Sequence, residues 1–157
     1  MTDVQTDTEV YRAHADELIR YATVLVGPDD APDVVTDAVL AAFASPGWRH
    51  VDNRRAYLFR AVLNGANSFH RSTSRRRQRE RVVAGSSATT TVLPDPSTDA
   101  IRALRTLSPQ QRAVVYLTYW EDLTAAEIAD LLAISEGSVR KQLARARGHL
   151  RKVLPRD

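Results

Sequence analysis

The segment from residue 124 to residue 147 constrains the fold of this chain more than any other part of its sequence. Thr124 and Glu127 are spaced as in a capping box, which predicts that a helix begins here. Apolar residues at helical spacing follow and give this helix one apolar face. The turn at 133–135 is short, and Ser135 at its end can cap a second helix. Two helices joined by such a turn predict a helix-turn-helix.

The second helix of this motif is predicted to be amphipathic. Its inward face is expected to hold Val139, Leu143, Ala146 and Leu150, which recur at i, i+4, i+7 and i+11. The opposite face is cationic, and long cationic side chains can reach phosphates and guanine edges in the major groove. The candidate DNA-contacting residues are Ser138, Arg140, Lys141 and Arg145. The alternative is a solvated helix with an ordinary basic face, but the capped helix and short turn upstream favour DNA binding.

Charge lies in blocks of opposite sign along the 157 residues, although the net charge is only +3. Residues 1–50 have a net charge of −6, residues 51–84 of +7 and residues 101–157 of +4. Such blocks predict two kinds of partner, a polyanion for the basic parts and another protein for the acidic part.

Several classes of function find no support in the sequence. The absence of cysteine excludes a thiol switch, a disulfide framework and a cysteine-based zinc site. The four histidines lack ligand spacing, so we expect neither a metal nor a cofactor, and an enzyme using His14 or His70 is the least favoured hypothesis. No apolar run of membrane-spanning length occurs and the N-terminus is acidic, so we expect a cytoplasmic protein without membrane insertion.

Helical periodicity without strand alternation predicts an all-α fold of two small domains. Residues 1–84 form the first, with helices expected over 8–26, 31–44 and from about 53 into the seventies. Residues 85–97, rich in Ser, Thr, Gly and Pro, are predicted to be a flexible linker. Residues 98–157 form the second domain, which begins with a helix over 99–107. A further helix is predicted to start at the capping box of Ser108 and Gln111.

The third helix carries a polar stripe that suits base recognition. Arg and Asn hydrogen-bond guanine and adenine edges in two-pronged fashion, and the stripe consists of Arg60, Asn64, Asn67 and Arg71. The loop before this helix holds Trp48 and Asn53. An aromatic side chain there can receive an unstacked base, or it can be a lid on the core. The sequence is compatible with both interpretations.

Four segments resemble those of a known protein family, and the resemblance covers nearly the whole chain, from about Tyr11 to Leu154. The segment 107–119 and the helix-turn-helix of 123–147 resemble the fourth conserved region of bacterial RNA polymerase sigma factors of the extracytoplasmic-function group. The segment 27–38 resembles the second region of these factors, and 53–64 resembles its promoter-melting part.

The resemblance implies a non-catalytic subunit that binds core RNA polymerase and promoter DNA. Asp33 and Asp37 would dock on the clamp helices of the largest polymerase subunit, from a helix whose other face is Val34, Ala38 and Ala41. The loop 48–53 would capture a flipped base of the minus-ten element, and the polar stripe would line that element. Arg140, Lys141 and Arg145 would read the minus-thirty-five element. Many members are held by an anti-sigma factor, so such a partner is implied as well.

The chain departs from the family pattern at four positions. Pro32 and Thr36 stand where an acid and Gln are usual, and Asn67 replaces a frequent Asp. Ala133 replaces the usual turn glycine, and a left-handed conformation there would cost Ala roughly 1 kcal/mol more than Gly. The alternative function is a helix-turn-helix regulator whose N-terminal half senses a ligand or a partner.

Overall fold

The structure, a computed structural model, describes residues 6–84 and 102–153, without the side chains of 81–84. Every regular element within these ranges is helical. The all-α fold class predicted from the sequence is therefore confirmed. The predicted linker at 85–97 lies outside the described residues.

The N-terminal half contains three α-helices and one short 3-10 helix. They are α1 (Asp7–Val26), α2 (Ala31–Ala44), the 3-10 helix Trp48–His50 and α3 (Arg54–Ala84). Helix α1 begins with a capping box formed by Thr6 and Glu9. Gly27 ends α1 at φ 92°, a backbone conformation that favours glycine. Asn53 begins α3, because its Oδ1 accepts a hydrogen bond from the Ala56 amide at 3.0 Å.

The C-terminal half contains a helical turn at 102–105 and three further helices. They are α4 (Pro109–Tyr119), α5 (Ala125–Leu132) and α6 (Glu136–Val153). The capping boxes predicted at Ser108 and Thr124 are both present. The hydroxyl of Ser135 accepts from the Ser138 amide at 3.0 Å, so the predicted cap of the second motif helix is confirmed.

The turn of the helix-turn-helix contains a strained residue. Ala133 follows α5 at φ 57° and ψ 45°, in the left-handed region. Its amide and that of Ile134 both donate to the Ala129 carbonyl, which holds the turn in this shape. The conformation that usually requires glycine is thus adopted by alanine, at the cost that the sequence predicts.

The two halves share one buried core. A single cluster of buried side chains takes members from all six α-helices, from Leu18 of α1 to Val139 of α6. Tyr21 lies at the junction. The centre of its ring is 4.7 Å from the ring centre of Phe59 in α3 and 6.0 Å from that of Tyr116 in α4. The helix-turn-helix is therefore packed against the N-terminal half in this conformation.

One arginine in the core joins the halves. Arg112 of α4 is 7% exposed, and its guanidinium donates to four main-chain carbonyls, those of Leu25, Leu104, Arg105 and Leu107. Leu25 belongs to the last turn of α1, where carbonyls lack helical partners. Burial, with a smaller contribution from Arg105, lowers the pKa of Arg112. The buried charge is compensated by carbonyl dipoles.

Candidate nucleic-acid and protein interfaces

Helix α6 presents a cationic surface on the outside of the helix-turn-helix. Val139 and Ala146 are buried, and Leu143 and Leu150 are half-buried, so the predicted inward face is confirmed. Arg140, Lys141 and Arg145 are exposed, whereas Ser138 is half-buried. Ala144 and Gly148 lie between the cations and add no bulk, which lets a groove approach the helix axis. This surface, Arg140, Lys141 and Arg145, is called the α6 basic face below.

Two arginines of α6 each contact another side chain of the molecule. Arg140 forms an exposed ion pair with Glu136 at 3.8 Å, one helical turn away. Such a pair is weak in water, so it leaves the guanidinium available to a phosphate or a base. Arg147 donates to the Tyr119 hydroxyl at 2.7 Å and its guanidinium lies over that ring. Arg147 therefore bridges α6 to α4, a role that its place on a basic helix did not reveal.

The residues of the polar stripe of α3 lie in different surroundings. Asn64 and Arg71 are exposed and Asn67 is half-buried, while Arg71 donates to the Ser68 hydroxyl at 3.4 Å. Arg60 differs, because its guanidinium donates to the carbonyls of Asp130 and Leu131 in α5, each at 2.9 Å. The structure thus keeps Arg60 within the molecule, and the spacing of the stripe gave no sign of this long-range contact.

Trp48 is a core residue. It is 2% exposed, it packs against Phe43 and Tyr57, and its Nε1 donates to Asp7 Oδ1 at 2.9 Å. The Arg54 guanidinium lies 5.2 Å from the centre of the indole ring. Of the two interpretations of this residue, the lid on the core agrees with the structure. A base stacked on the indole would require this aromatic cluster to open.

The exposed face of α2 combines acids with an apolar side chain. Asp33 and Asp37 are exposed, and Leu40 is 61% exposed one turn further on. Val34 and Ala38 are buried, as expected, but Ala41 is exposed. The expectation for Ala41 was wrong because α2 packs on α1 and α3 through a face centred on 35, 38, 39 and 42, and Ala41 lies beside it. The outer surface is therefore broader than the two acids.

A polar bridge fixes α1 to α3. Glu17 accepts from Arg55 through both carboxylate oxygens, at 2.9 and 3.1 Å, and from His14 at 2.8 Å. Burial alone would raise the pKa of Glu17, but the hydrogen bonds from Arg55 and His14 outweigh it and lower that pKa. The bridge is local to the N-terminal half and positions the helix that carries the polar stripe.

Two kinds of feature are not found in the described ranges. No group of three or more His, Asp or Glu side chains in 6–84 and 102–153 is arranged to hold a metal ion. None of the helices described is long and apolar enough to cross a membrane.

Comparison with known proteins finds sigma factors among the matches. Residues 98–150 match the family "Sigma-70, region 4". An RNA polymerase sigma-E factor of Streptomyces avermitilis is 34% identical over 161 residues, which cover 93% of this chain and 83% of that protein. The ECF RNA polymerase sigma factor SigL of Mycobacterium tuberculosis is 31% identical over 163 residues, covering 92% and 86%.

A solved structure also matches along nearly the whole chain. It is the sigma factor RpoE in complex with the anti-sigma factor NepR from Bartonella quintana, with a TM-score of 0.65 and 21% identity. The match covers 93% of this chain and 94% of that one, and it supports the fold. The relatives above 30% identity, which match over both halves, confirm the resemblance drawn from the sequence: the chain belongs to the extracytoplasmic-function group of bacterial RNA polymerase sigma factors.

Proposed function

We propose that this chain binds core RNA polymerase as a dissociable, non-catalytic subunit and directs initiation to particular promoters. The observation that carries the proposal is the exposed α6 basic face on a helix-turn-helix, within a chain of the sigma factor family. The proposed role requires the bacterial cytoplasm, where polymerase and chromosomal promoters are found. Two parts are proposed, a docking and minus-ten domain at 1–84 and a minus-thirty-five domain at 98–157, joined by residues 85–97.

The minus-thirty-five element is assigned to α6. Arg140 and Arg145 suit bidentate contacts to guanine, and Lys141 suits a phosphate. Ser138 is half-buried at the start of the helix, where its hydroxyl would be close to the DNA backbone. Each good bidentate contact contributes about 1–3 kcal/mol of discrimination between bases.

The minus-ten element is assigned to the polar stripe and to the loop before α3. Asn64, Asn67 and Arg71 would contact bases and phosphates directly, and Arg60 would join them once released from α5. Within the loop, Trp48 is proposed to hold the loop in position by packing in the core, without contacting the base. The flipped base would meet exposed polar residues instead, and Asn53 is one of them. Its side chain is also the cap of α3, so it would position the helix.

Polymerase docking is assigned to the outer face of α2. Asp33 and Asp37 would meet cationic side chains on the clamp helices of the largest subunit, and exposed Leu40 would add apolar contact. Two acids at i, i+4 repel each other mildly in an isolated helix, and a cationic partner relieves this repulsion. An anti-sigma factor is a further proposed partner, since the matched RpoE structure is a complex with one.

Co-elution with core polymerase separates the proposal from its alternative, a helix-turn-helix regulator with a sensing N-terminal half. The full chain and an Asp33→Lys, Asp37→Lys double variant are mixed with core enzyme and separated by gel filtration. The proposal expects the wild-type chain to co-elute and the variant to elute alone with unchanged helical content. A wild-type chain that binds promoter DNA but never core polymerase would favour the regulator.

A further inference from the structure

A hydrogen bond across 41 positions of sequence joins the loop 48–53 to the start of α1. Trp48 Nε1 donates to the Oδ1 atom of Asp7 at 2.9 Å. The indole is 2% exposed, whereas Asp7 lies at the surface. A buried indole N–H requires an acceptor, and a carboxylate forms a shorter and stronger hydrogen bond than a neutral acceptor does. The position of the indole ring is therefore linked to a residue in the first turn of α1.

The indole belongs to the turn that presents the exposed residues of the loop. The Trp48 amide donates to the Ser45 carbonyl at 3.1 Å, and the Trp48 carbonyl accepts from the Val51 amide at 3.2 Å. Arg49 and His50 follow Trp48 directly in the 3-10 helix, and both are exposed. Because this turn is short and closed by its own main-chain hydrogen bonds, a displacement of the indole displaces the two exposed side chains with it.

The hydrogen bond gives the indole a direction that its apolar neighbours do not give. The ring centre of Phe43 lies 5.1 Å and that of Tyr57 lies 5.6 Å from the centre of the indole. Apolar burial is non-directional, so these contacts restrain the tilt of the ring less than a hydrogen bond does. An N–H···O hydrogen bond weakens steeply as its angle departs from linear. Asp7 therefore supplies the constraint that selects one ring orientation.

The start of α1 is itself held in place by other contacts. Thr6 and Glu9 form a reciprocal capping box, with hydrogen bonds of 3.1 and 3.2 Å. The next residue, Val10, is 1% exposed in the shared core. An acid in the first turn also interacts favourably with the helix dipole, which is the alternative role of Asp7. The two roles differ in their requirements, since the dipole interaction needs a charge and the indole needs an acceptor.

We propose that Asp7 is a positioning residue for promoter melting: its carboxylate holds the Trp48 indole, and the indole aims the exposed residues of the loop at an unstacked minus-ten base. The identity of this loop as the part that receives the base rests on the proposed function. Asp7 acts through Trp48 and is not itself assigned a contact to DNA. It precedes the segments that resemble the sigma factor family, which begin at about Tyr11.

Exchange of the indole N–H proton with water tests the contact in the free chain. The chain has two tryptophans, and Trp120 is 65% exposed, so a nuclear magnetic resonance spectrum should contain one slowly and one rapidly exchanging indole signal. Asp7→Ala should speed exchange of the slow signal by about fivefold or more. Asp16→Ala, which removes the same charge from an exposed position of α1, is the matched control. An unchanged slow signal in Asp7→Ala would overturn the contact and the proposal with it.

The rate of promoter melting tests the role of the contact. Holoenzyme is formed on a promoter selected by run-off transcription, with an adenine analogue in the minus-ten element that fluoresces when unstacked. Asp7→Ala should lower the melting rate by about fivefold or more, while the affinity of the initial closed complex changes by less than about twofold. Asp7→Asn keeps a side-chain oxygen as acceptor but lacks the charge, so it should retain most of the wild-type rate. Asp16→Ala should match wild type.

Three outcomes of the melting experiment would overturn the positioning role. Equal rates for wild type and Asp7→Ala would show that the loop does not need the contact. An Asp7→Asn variant as slow as Asp7→Ala would assign the effect to the charge at the start of α1. Melting and closed-complex affinity that fall together, with a lower free energy of unfolding in urea, would assign it to folding of the N-terminal half.

Failure of the proposed function gives a different result. A wild-type chain that melts no promoter with core polymerase, but whose indole exchange depends on Asp7, would contradict the sigma function while the contact remains. Equal melting by wild type and Asp7→Ala would overturn the positioning role and leave the sigma function intact.

Discussion

The Arg112 guanidinium of α4 donates to the Leu25 carbonyl of α1 at 2.6 Å, across 87 positions of sequence. The same side chain binds three carbonyls between 104 and 107. It thereby fixes the start of the C-terminal half both to its own helical turn and to the N-terminal half. A buried charge held by four carbonyls is sensitive to changes of donor geometry.

Replacing Arg112 by Lys should lower the stability of the chain. Lysine keeps the charge but donates from one point, so it cannot reach four carbonyls arranged around a planar guanidinium. We expect a loss of about 2 kcal/mol or more in the free energy of unfolding, measured by urea titration. Arg151→Lys, on the exposed end of α6, is the control. A loss of less than about 0.5 kcal/mol would show that the carbonyls find other donors.

Replacing Ala133 by Gly should raise stability. The residue is left-handed at φ 57°, where glycine has no steric penalty. The gain should be at most about 1 kcal/mol, because glycine also loses more chain entropy on folding. Ala144→Gly, at an exposed position inside α6, should instead lower stability by roughly 0.5–1 kcal/mol. Thermal unfolding of both variants checks the opposite signs, and a destabilising Ala133→Gly would contradict the strain.

Stability should fall in acid partly through Glu17. Its pKa is lowered in the folded chain, so its contribution is present above the unfolded pKa and is lost as the pH falls through the folded one. Wild type should exceed Glu17→Gln at pH 7 by about 1 kcal/mol or less, since the bridge is partly exposed. The difference should shrink below about pH 4.5. Urea titrations at several pH values measure it, and a difference that persists unchanged at pH 3 would argue against the carboxylate.

Loss of a cation from the α6 basic face should weaken promoter binding. Arg140→Ala and Arg145→Ala should each cost about 1–3 kcal/mol on a minus-thirty-five duplex and less on random DNA. Arg147→Ala removes the same charge from the same helix, but its guanidinium is held by Tyr119, so it serves as the control. Fluorescence anisotropy with the full chain gives the affinities. Equal losses on both DNAs would indicate phosphate contacts only.

Local sequence signals predicted the helices well. Thr124 with Glu127 and Ser108 with Gln111 form the expected capping boxes, because capping depends on residues only three positions apart. The left-handed conformation of Ala133 was raised by the family resemblance, since Ala133 stands where a turn glycine is usual. The capping boxes require no knowledge of the rest of the chain.

Contacts between distant segments could not be predicted in this way. The spacing of Arg60 within α3 indicates a polar face but not that the α5 carbonyls lie against it. Trp48 precedes a helix in a polar loop, yet tertiary packing with Phe43 and Tyr57 buries it. Ala41 is exposed because α2 has two neighbouring helices, and their directions set which residues are covered. Each outcome depends on how whole helices pack.

Run-off transcription measures whether this chain gives core polymerase promoter specificity. Core polymerase alone, with the wild-type chain, and with the Asp33→Lys, Asp37→Lys variant is incubated with a library of upstream genomic fragments. We expect discrete transcripts only with the wild-type chain, from a subset of fragments that share minus-ten and minus-thirty-five sequences. A wild-type chain that yields no transcript beyond core enzyme alone, or a variant that matches it, would contradict the assignment of this chain as a promoter-specificity subunit that docks through α2.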